Sequence, residues 1–166
     1  MAAGSDPAGA WGAAVTLLAM RARSAEEVRR RLRRQGHPAA EIEAAVARLT
    51  AAGYLDDAAF AAGWARARIT RQRVGPARVA RELKTKGIGE AEIAAALAAV
   101  AAERDVRQVA AEAAGRRLPS LRGLPPETAR RRLAAYLTRR GFPVEVIVAL
   151  CREHFASPDQ ETDDGE

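Results

Sequence analysis

Cysteine, aromatic residues and lysine are scarce in this chain, and each shortage excludes something. The one cysteine, Cys151, cannot close an internal disulfide, so nothing requires an oxidising compartment and the cytoplasm is the expected location. Aromatic residues are 4% of the 166, too few for a base-stacking platform and fewer than a sheet protein would want. No run approaches the roughly 18 apolar residues of a membrane span, and the segment before Trp11 has no basic stretch of the kind that opens a signal peptide. There is no Cys/His cluster with metal-ligand spacing, no glycine–lysine phosphate loop and no dinucleotide fingerprint. Neither metal nor cofactor is expected, and an enzyme is not.

Alanine and arginine are what the chain has in quantity. Apolar residues reach 48%, much of it alanine, which suits helices packed closely through small side chains. The net charge is +6, unevenly placed: residues 157–166 hold five acids and no Lys or Arg. Without them 27 basic residues face 16 acids, a balance that predicts a polyanionic partner or an acidic protein surface. The only lysines are Lys84 and Lys86.

One frame recurs three times. Gly36, Gly87 and Gly141 are preceded at eight residues by Val28, Val79 and Leu133, and at four by Leu32, Leu83 and Leu137. Six residues after them come Ile42, Ile93 and Ile147, and ten after, Val46, Leu97 and Cys151. A frame kept through three copies implies one supersecondary unit used three times. The expected architecture is all-α, an elongated tandem array of three three-helix repeats over residues 9–53, 54–103 and 104–156. A flexible lead is expected over 1–8 and an acidic disordered tail over 157–166.

Boundaries follow from capping chemistry. A first helix is expected from Ala10 to Arg21. Ser24 reads as an N-cap, with Glu27 completing a capping box for a helix over 25–35 that ends at a left-handed Gly36. The third helix starts near Pro38. In the second copy Asp56 or Asp57 caps a helix with Phe60, Trp64 and Ile69. Gly75-Pro76 opens the next helix, and another begins near Glu90. In the third, Asp105 caps a helix, a Pro/Gly loop covers 118–125, and Pro126 and Pro143 open the last two helices.

The same frame disposes of most catalytic candidates. His37, His154 and Cys151 fall in slots that other copies fill with Ile88 and Phe142, Leu49 and Val100, and Val46 and Leu97, so packing explains them. Asp56-Asp57 stands just before a helical run, where capping explains a carboxylate pair without a metal.

The basic residues are the expected working surface. Glu26 and Glu27 precede Arg30 and Arg31 by four residues and can pair with them. Arg29, Arg33 and Arg34 have no such acid. Arg66, Arg68, Arg71 and Arg73 run on without an acid until Glu82, past Arg78 and Arg81. Before the repeat glycine stand Gln35, Lys86 and Arg140 at one residue, Arg34, Thr85 and Arg139 at two, and Arg33, Lys84 and Thr138 at three. Equivalent positions of stacked repeats would place these on one side, as a basic stripe.

Two stretches carry a family resemblance. Gly53-Tyr54-Leu55-Asp56-Asp57-Ala58-Ala59-Phe60 is one. Gly75-Pro76-Ala77-Arg78-Val79-Ala80-Arg81-Glu82-Leu83, followed by Lys86-Gly87-Ile88, is the other. With Ser24 to Gly36 they resemble RecX, the bacterial regulator of the RecA recombinase, in order and spacing over about residues 12 to 155. His37 departs from the large apolar residue expected after the first glycine. The third copy is looser, with an inserted loop. The resemblance implies a non-enzymatic modulator that lies along the groove of the RecA–DNA filament and reduces recombinase, ATPase and coprotease activities; a monomer is expected. It also implies only weak binding to single- or double-stranded DNA alone. Tyr54, Leu55 and Phe60 are expected to hold the first copy against the second. Two rival readings stay open: a general helical nucleic-acid-binding module, which requires tight binding to naked DNA, and a scaffold for another acidic protein.

Overall fold

The computed structural model describes residues 9–155; the lead expected over 1–8 and the tail over 157–166 lie outside them. Among the described residues there are nine α-helices and no strand. They are α1 (Gly9–Met20), α2 (Ala25–Arg34), α3 (Ala39–Ala51), α4 (Asp57–Arg66), α5 (Pro76–Thr85), α6 (Glu90–Glu103), α7 (Val106–Arg117), α8 (Pro126–Arg140) and α9 (Val144–Phe155). The all-α class and the three-by-three arrangement read from the sequence are what the structure has. It gathers the described residues into two compact units: 9–64 with 81–99, and 65–80 with 100–155.

In the first unit α1, α2 and α3 pack on one another. Their core is Ala10, Ala14, Leu17, Val28, Leu32, Ile42, Ala45, Val46, Leu49 and Leu55, the helical stripes that the repeat frame picks out. The second unit pairs α8 with α9 and sets α7 against both. Ala110, Ala113 and Ala114 of α7 are fully buried, so alanine is the packing surface there. Eleven of the twelve frame positions are buried; Leu97 is half-buried.

Helix starts follow their caps. Ser24 Oγ accepts from the Glu27 N–H at 3.1 Å and the Glu27 side chain accepts from the Ser24 N–H, completing the capping box. Asp105 accepts from Arg107 N–H. Pro38 precedes α3 as its N-cap rather than occupying its first turn. Gly36, Gly87 and Gly141 all have φ between 80° and 85°, the left-handed conformation their position requires. Two features were not legible. The chain beyond α4 widens into a π-turn over Ala67–Arg71, and Arg73 follows with φ 55°. That left-handed backbone is uncommon for a residue other than glycine, and the Arg73 side chain donates from Nε to Glu112 at 2.9 Å. Within 118–125 the expected loop begins as a 3-10 turn, Leu118–Leu121.

Each unit contains the same joint between helix ends. In the first, Ser24 Oγ donates to Lys86 O at 2.5 Å, joining the N-terminus of α2 to the turn that ends α5. Arg30 donates to Thr85 O at 2.9 Å beside it. In the second unit, Gly75 N–H donates to Arg140 O at 2.8 Å and Ala77 N–H to Gly141 O at 3.2 Å, joining the N-terminus of α5 to the C-terminus of α8. Ser24 and Gly75 stand at the same repeat position, twelve residues before Gly36 and Gly87. Helix N-termini carry free N–H groups and C-termini free carbonyls; the second joint pairs the two directly, whereas in the first the carbonyls that end α5 accept from side chains of α2 and its cap.

The close approach leaves no room for Cβ atoms. A Cβ on Gly75 would clash with the Gly141 backbone, and one on Gly141 with Arg78. A Cβ on Gly87 would meet the Glu26 side chain, whereas Gly123 faces open space at φ 81°. Gly75→Ala and Gly141→Ala should each destabilise by more than about 2 kcal/mol, through the clash and the lost hydrogen bonds, whereas Gly123→Ala should cost about 1 kcal/mol from backbone strain alone. Urea melts measure this, and equal losses at all three sites would contradict the joint.

Candidate functional site

The motif around Asp56-Asp57 is architectural, and the two carboxylates divide the work. Asp56 Oδ1 accepts from Ala59 N–H at 2.8 Å and caps α4. Asp57 Oδ1 instead accepts from Ala25 N–H at 2.8 Å, taking one of the free donors that open α2. Leu55 and Phe60 are buried beneath. Tyr54 is 70% exposed, which corrects the expectation that it holds the copies together: the turn after Gly53 directs it to solvent.

Lys86 belongs to the same assembly. Its Nζ lies 4.1 Å from the Trp64 ring centroid and pairs with Glu27 Oε1 at 2.9 Å. Trp64 stacks near-parallel on Phe60 and donates from Nε1 to Glu82. Burial alone would raise the Glu27 pKa, but Arg21, Lys86 and the Ser24 amide outweigh it and hold the carboxyl at about 2. Glu27 therefore does not form the expected i,i+4 pair with Arg31, whereas Glu26 does pair with Arg30 at 3.1 Å.

The sequence-predicted cations sort by how they are held. Lys86, Arg73 and Arg140 are turned inward. Arg140 donates from Nε to Tyr136 Oη at 2.7 Å, and from Nη1 to Gln72 O and Arg73 O at 3.0 and 3.1 Å. Others are paired at the surface: Arg29 with Glu43, Arg33 with Glu26, Arg66 with Glu103, and Lys84 with Glu90 at 3.5 Å. Arg68 donates to Gln72 Oε1, and Arg78 is half-buried in the first turn of α5. Arg34, Arg71, Arg81 and Arg139 are exposed and have no ion pair among the described residues. Arg34 and Arg139 share one repeat position, two before the glycine, and Lys86 and Arg140 another, one before. The first faces water in both units and the second packs inward in both.

Charge is concentrated in the second unit, which the sequence reading missed by treating the repeats as separate blocks. Its described residues carry 16 Arg against six acids, whereas the first unit carries 11 Arg and Lys against nine acids. The pockets differ accordingly. A cleft of about 570 Å³ in the first unit is lined by Asp56, Asp57, Glu92 and Arg29. One of about 410 Å³ in the second is lined by four arginines, Gln72, Tyr136 and Val74, with no carboxylate.

The reactive side chains offer no nucleophile or metal site. Cys151 is buried, and burial pushes its thiol pKa up. His37 is half-buried, but His154 is exposed, which corrects the packing role expected for it: it sits in the last turn of α9. Among the described residues no group of three His, Cys, Asp or Glu could hold a metal ion, and no helix is long and apolar enough to cross a membrane.

Comparison with known proteins decides the family. Models of the first, second and third three-helix domains of RecX match residues 10–49, 56–97 and 105–150. The chain belongs to the RecX family. It is 36% identical over 137 residues to the regulatory protein RecX of Amycolatopsis mediterranei, covering 82% of this chain and 78% of that one. It is 39% identical to that of Stenotrophomonas maltophilia, covering 81% and 80%. The crystal structure of RecX from Lactobacillus salivarius shares the fold, with a TM-score of 0.76 at 19% identity over 89% of this chain and 95% of that one. RecX relatives are thus named as regulatory proteins rather than enzymes.

The Glu27 contacts predict a pH signature. A depressed carboxylate pKa stabilises the fold above the unfolded value near 4.5 and loses that contribution as pH falls toward 2. Glu27→Gln should therefore cost on the order of 1–2 kcal/mol at pH 7 and almost nothing near pH 2. Chemical melts across that range would show it; a wild-type-minus-variant difference constant with pH would contradict the assignment.

Proposed function

We propose that this protein is a non-enzymatic regulator that binds the groove of the RecA–DNA filament and lowers recombinase, ATPase and coprotease activity. Membership of the RecX family carries this reading. The charge distribution supports it, because a filament of protein on DNA presents phosphate and acidic surface together. The contacts are charged, individually weak and spread over both units, so that affinity comes from avidity. Of the cations expected at the interface, Arg34, Arg81, Lys84, Arg71 and Arg139 are the ones available to a partner. Lys86, Arg73 and Arg140 act by holding the fold. Reversal of Lys86 would strand Glu27 and disrupt the Trp64 stack, so a Lys84/Lys86 double reversal no longer separates binding from folding.

The second reading, a general nucleic-acid module, is favoured by the excess of arginine in the second unit. One titration separates the two. RecA's single-strand-dependent ATPase is followed while this protein is added far below one copy per RecA protomer, with DNA in excess. Inhibition at such ratios supports action on the filament; inhibition only when the protein saturates the DNA means competition for phosphate. Reversing Arg34 and Arg81 to Glu should raise the concentration for half-inhibition about tenfold, at roughly 0.7 kcal/mol per exposed contact, with helicity unchanged. Unaltered inhibition would remove those residues from the interface.

A further inference from the structure

The acids of the first unit fall into two sets. Glu26 pairs with Arg30 and Arg33, Glu27 with Lys86, Glu43 with Arg29 and Glu90 with Lys84. Asp56, Asp57 and Glu92 have no ion pair among the described residues, and all three line one cleft. We propose that this cleft is a docking site for an arginine side chain presented by a partner protein.

The cleft is built within the first unit. Ala25 and Arg29 come from α2, Val46 and Thr50 from α3, and Ala58 from α4. Gly53 and Leu55 come from the chain between α3 and α4, and Glu92 from the first turn of α6. Val46 and Leu55 are buried and give it an apolar floor. Each aspartate uses Oδ1 to accept from a helix-opening N–H, and its Oδ2 takes no part in that bond. Arg29 is the one cation in the lining. Its Nε donates to both Glu43 oxygens, at 3.0 and 3.1 Å, so its charge is answered by a residue outside the lining. Three carboxylates around one concavity repel one another until a cation enters.

The lining selects the cation. A metal ion does not fit, since among the described residues no group of three His, Cys, Asp or Glu could hold one. An arginine fits. Its methylene stem can lie on Val46, Leu55 and the alanine methyls while its charged head reaches the carboxylates. Its planar fork takes two carboxylate oxygens at once. The volume, about 570 Å³, admits a side chain with its flanking backbone. Tyr54 is an independent sign of a partner. Its side chain is 70% exposed, and in the chain it stands between Gly53 and Leu55, both in the lining. A guanidinium stacks on an aromatic face, and exposed tyrosines are enriched where proteins meet.

The site does not depend on the filament reading and is tested without RecA. Amide chemical shifts of the full chain are followed by NMR as N-acetyl-Ala-Arg-Ala-amide is added. The citrulline peptide, equal in shape and uncharged, is the control. The arginine peptide should give saturable shifts centred on Gly53, Ala58 and Glu92 with a Kd of about 1 mM, and the citrulline peptide none. Asp56→Asn with Glu92→Gln removes two charges, yet asparagine still accepts from the Ala59 N–H. That variant should keep its helicity and bind about tenfold more weakly. Tyr54→Ala should weaken binding about threefold, and Tyr54→Phe should leave it unchanged. Three results would overturn the proposal: a charge-neutralised variant that binds as wild type, equal shifts from the citrulline peptide, or displacement of the arginine peptide by equimolar calcium ion.

Discussion

The structure depends on the meeting of helix ends. A helix N-terminus offers N–H groups without partners and a C-terminus offers carbonyls without partners, and burying either unpaired costs roughly 1–3 kcal/mol per group. In the second unit the amides that open α5 answer the carbonyls that end α8, and in the first the Ser24 hydroxyl and the Arg30 side chain answer the carbonyls that end α5. The left-handed glycine at each C-terminus is what lets the backbones come this close, because any Cβ would occupy the neighbour's place. Gly87 and Gly141 are therefore more than helix stops; they are the contact surfaces of the joints, whereas Gly36 faces open space.

That constraint fixes what the neighbouring cations can do. The residue one before the glycine lies at the joint, and both Lys86 and Arg140 turn inward to aromatic rings and helix-end groups there. Two before the glycine, Arg34 and Arg139 face water. A single helical step thus separates cations that hold the fold from cations a partner can reach. Inward arginines and lysines take acids with them, as Lys86 takes Glu27, and the second unit has too few acids to neutralise the rest. Its surplus of positive charge follows from that imbalance and is the part of the surface most open to polyanions.

Much of this was legible in the residues. Apolar spacing around Gly36, Gly87 and Gly141 predicted the buried stripes, and Ser24 with Glu27 announced the first joint's cap. The Asp56-Asp57 pair was legible as capping chemistry, but not its division, because Asp57 caps a helix 32 residues earlier in the chain. Tyr54 was misread because an apolar motif residue beside the buried Leu55 looked like core, and it is exposed instead. The π-turn at Ala67–Arg71 had no periodic signal, since it ends its helical run and no further helical turns follow in which a shifted pattern could show. The arginine-lined pocket of the second unit was invisible for a different reason: its arginines come from segments about 70 residues apart, and spacing carries no trace of their convergence.

The most direct test of the joint is native-state hydrogen exchange at Gly75 and Ala77. Both amides open a helix, where exchange is ordinarily fast, yet here each donates across to the end of α8. The account predicts that both are protected to about the level of Leu83 and Leu137 in the helix cores. Exchange of either amide at the rate of an unprotected helix first turn would show that the ends do not hold one another, and would contradict the account.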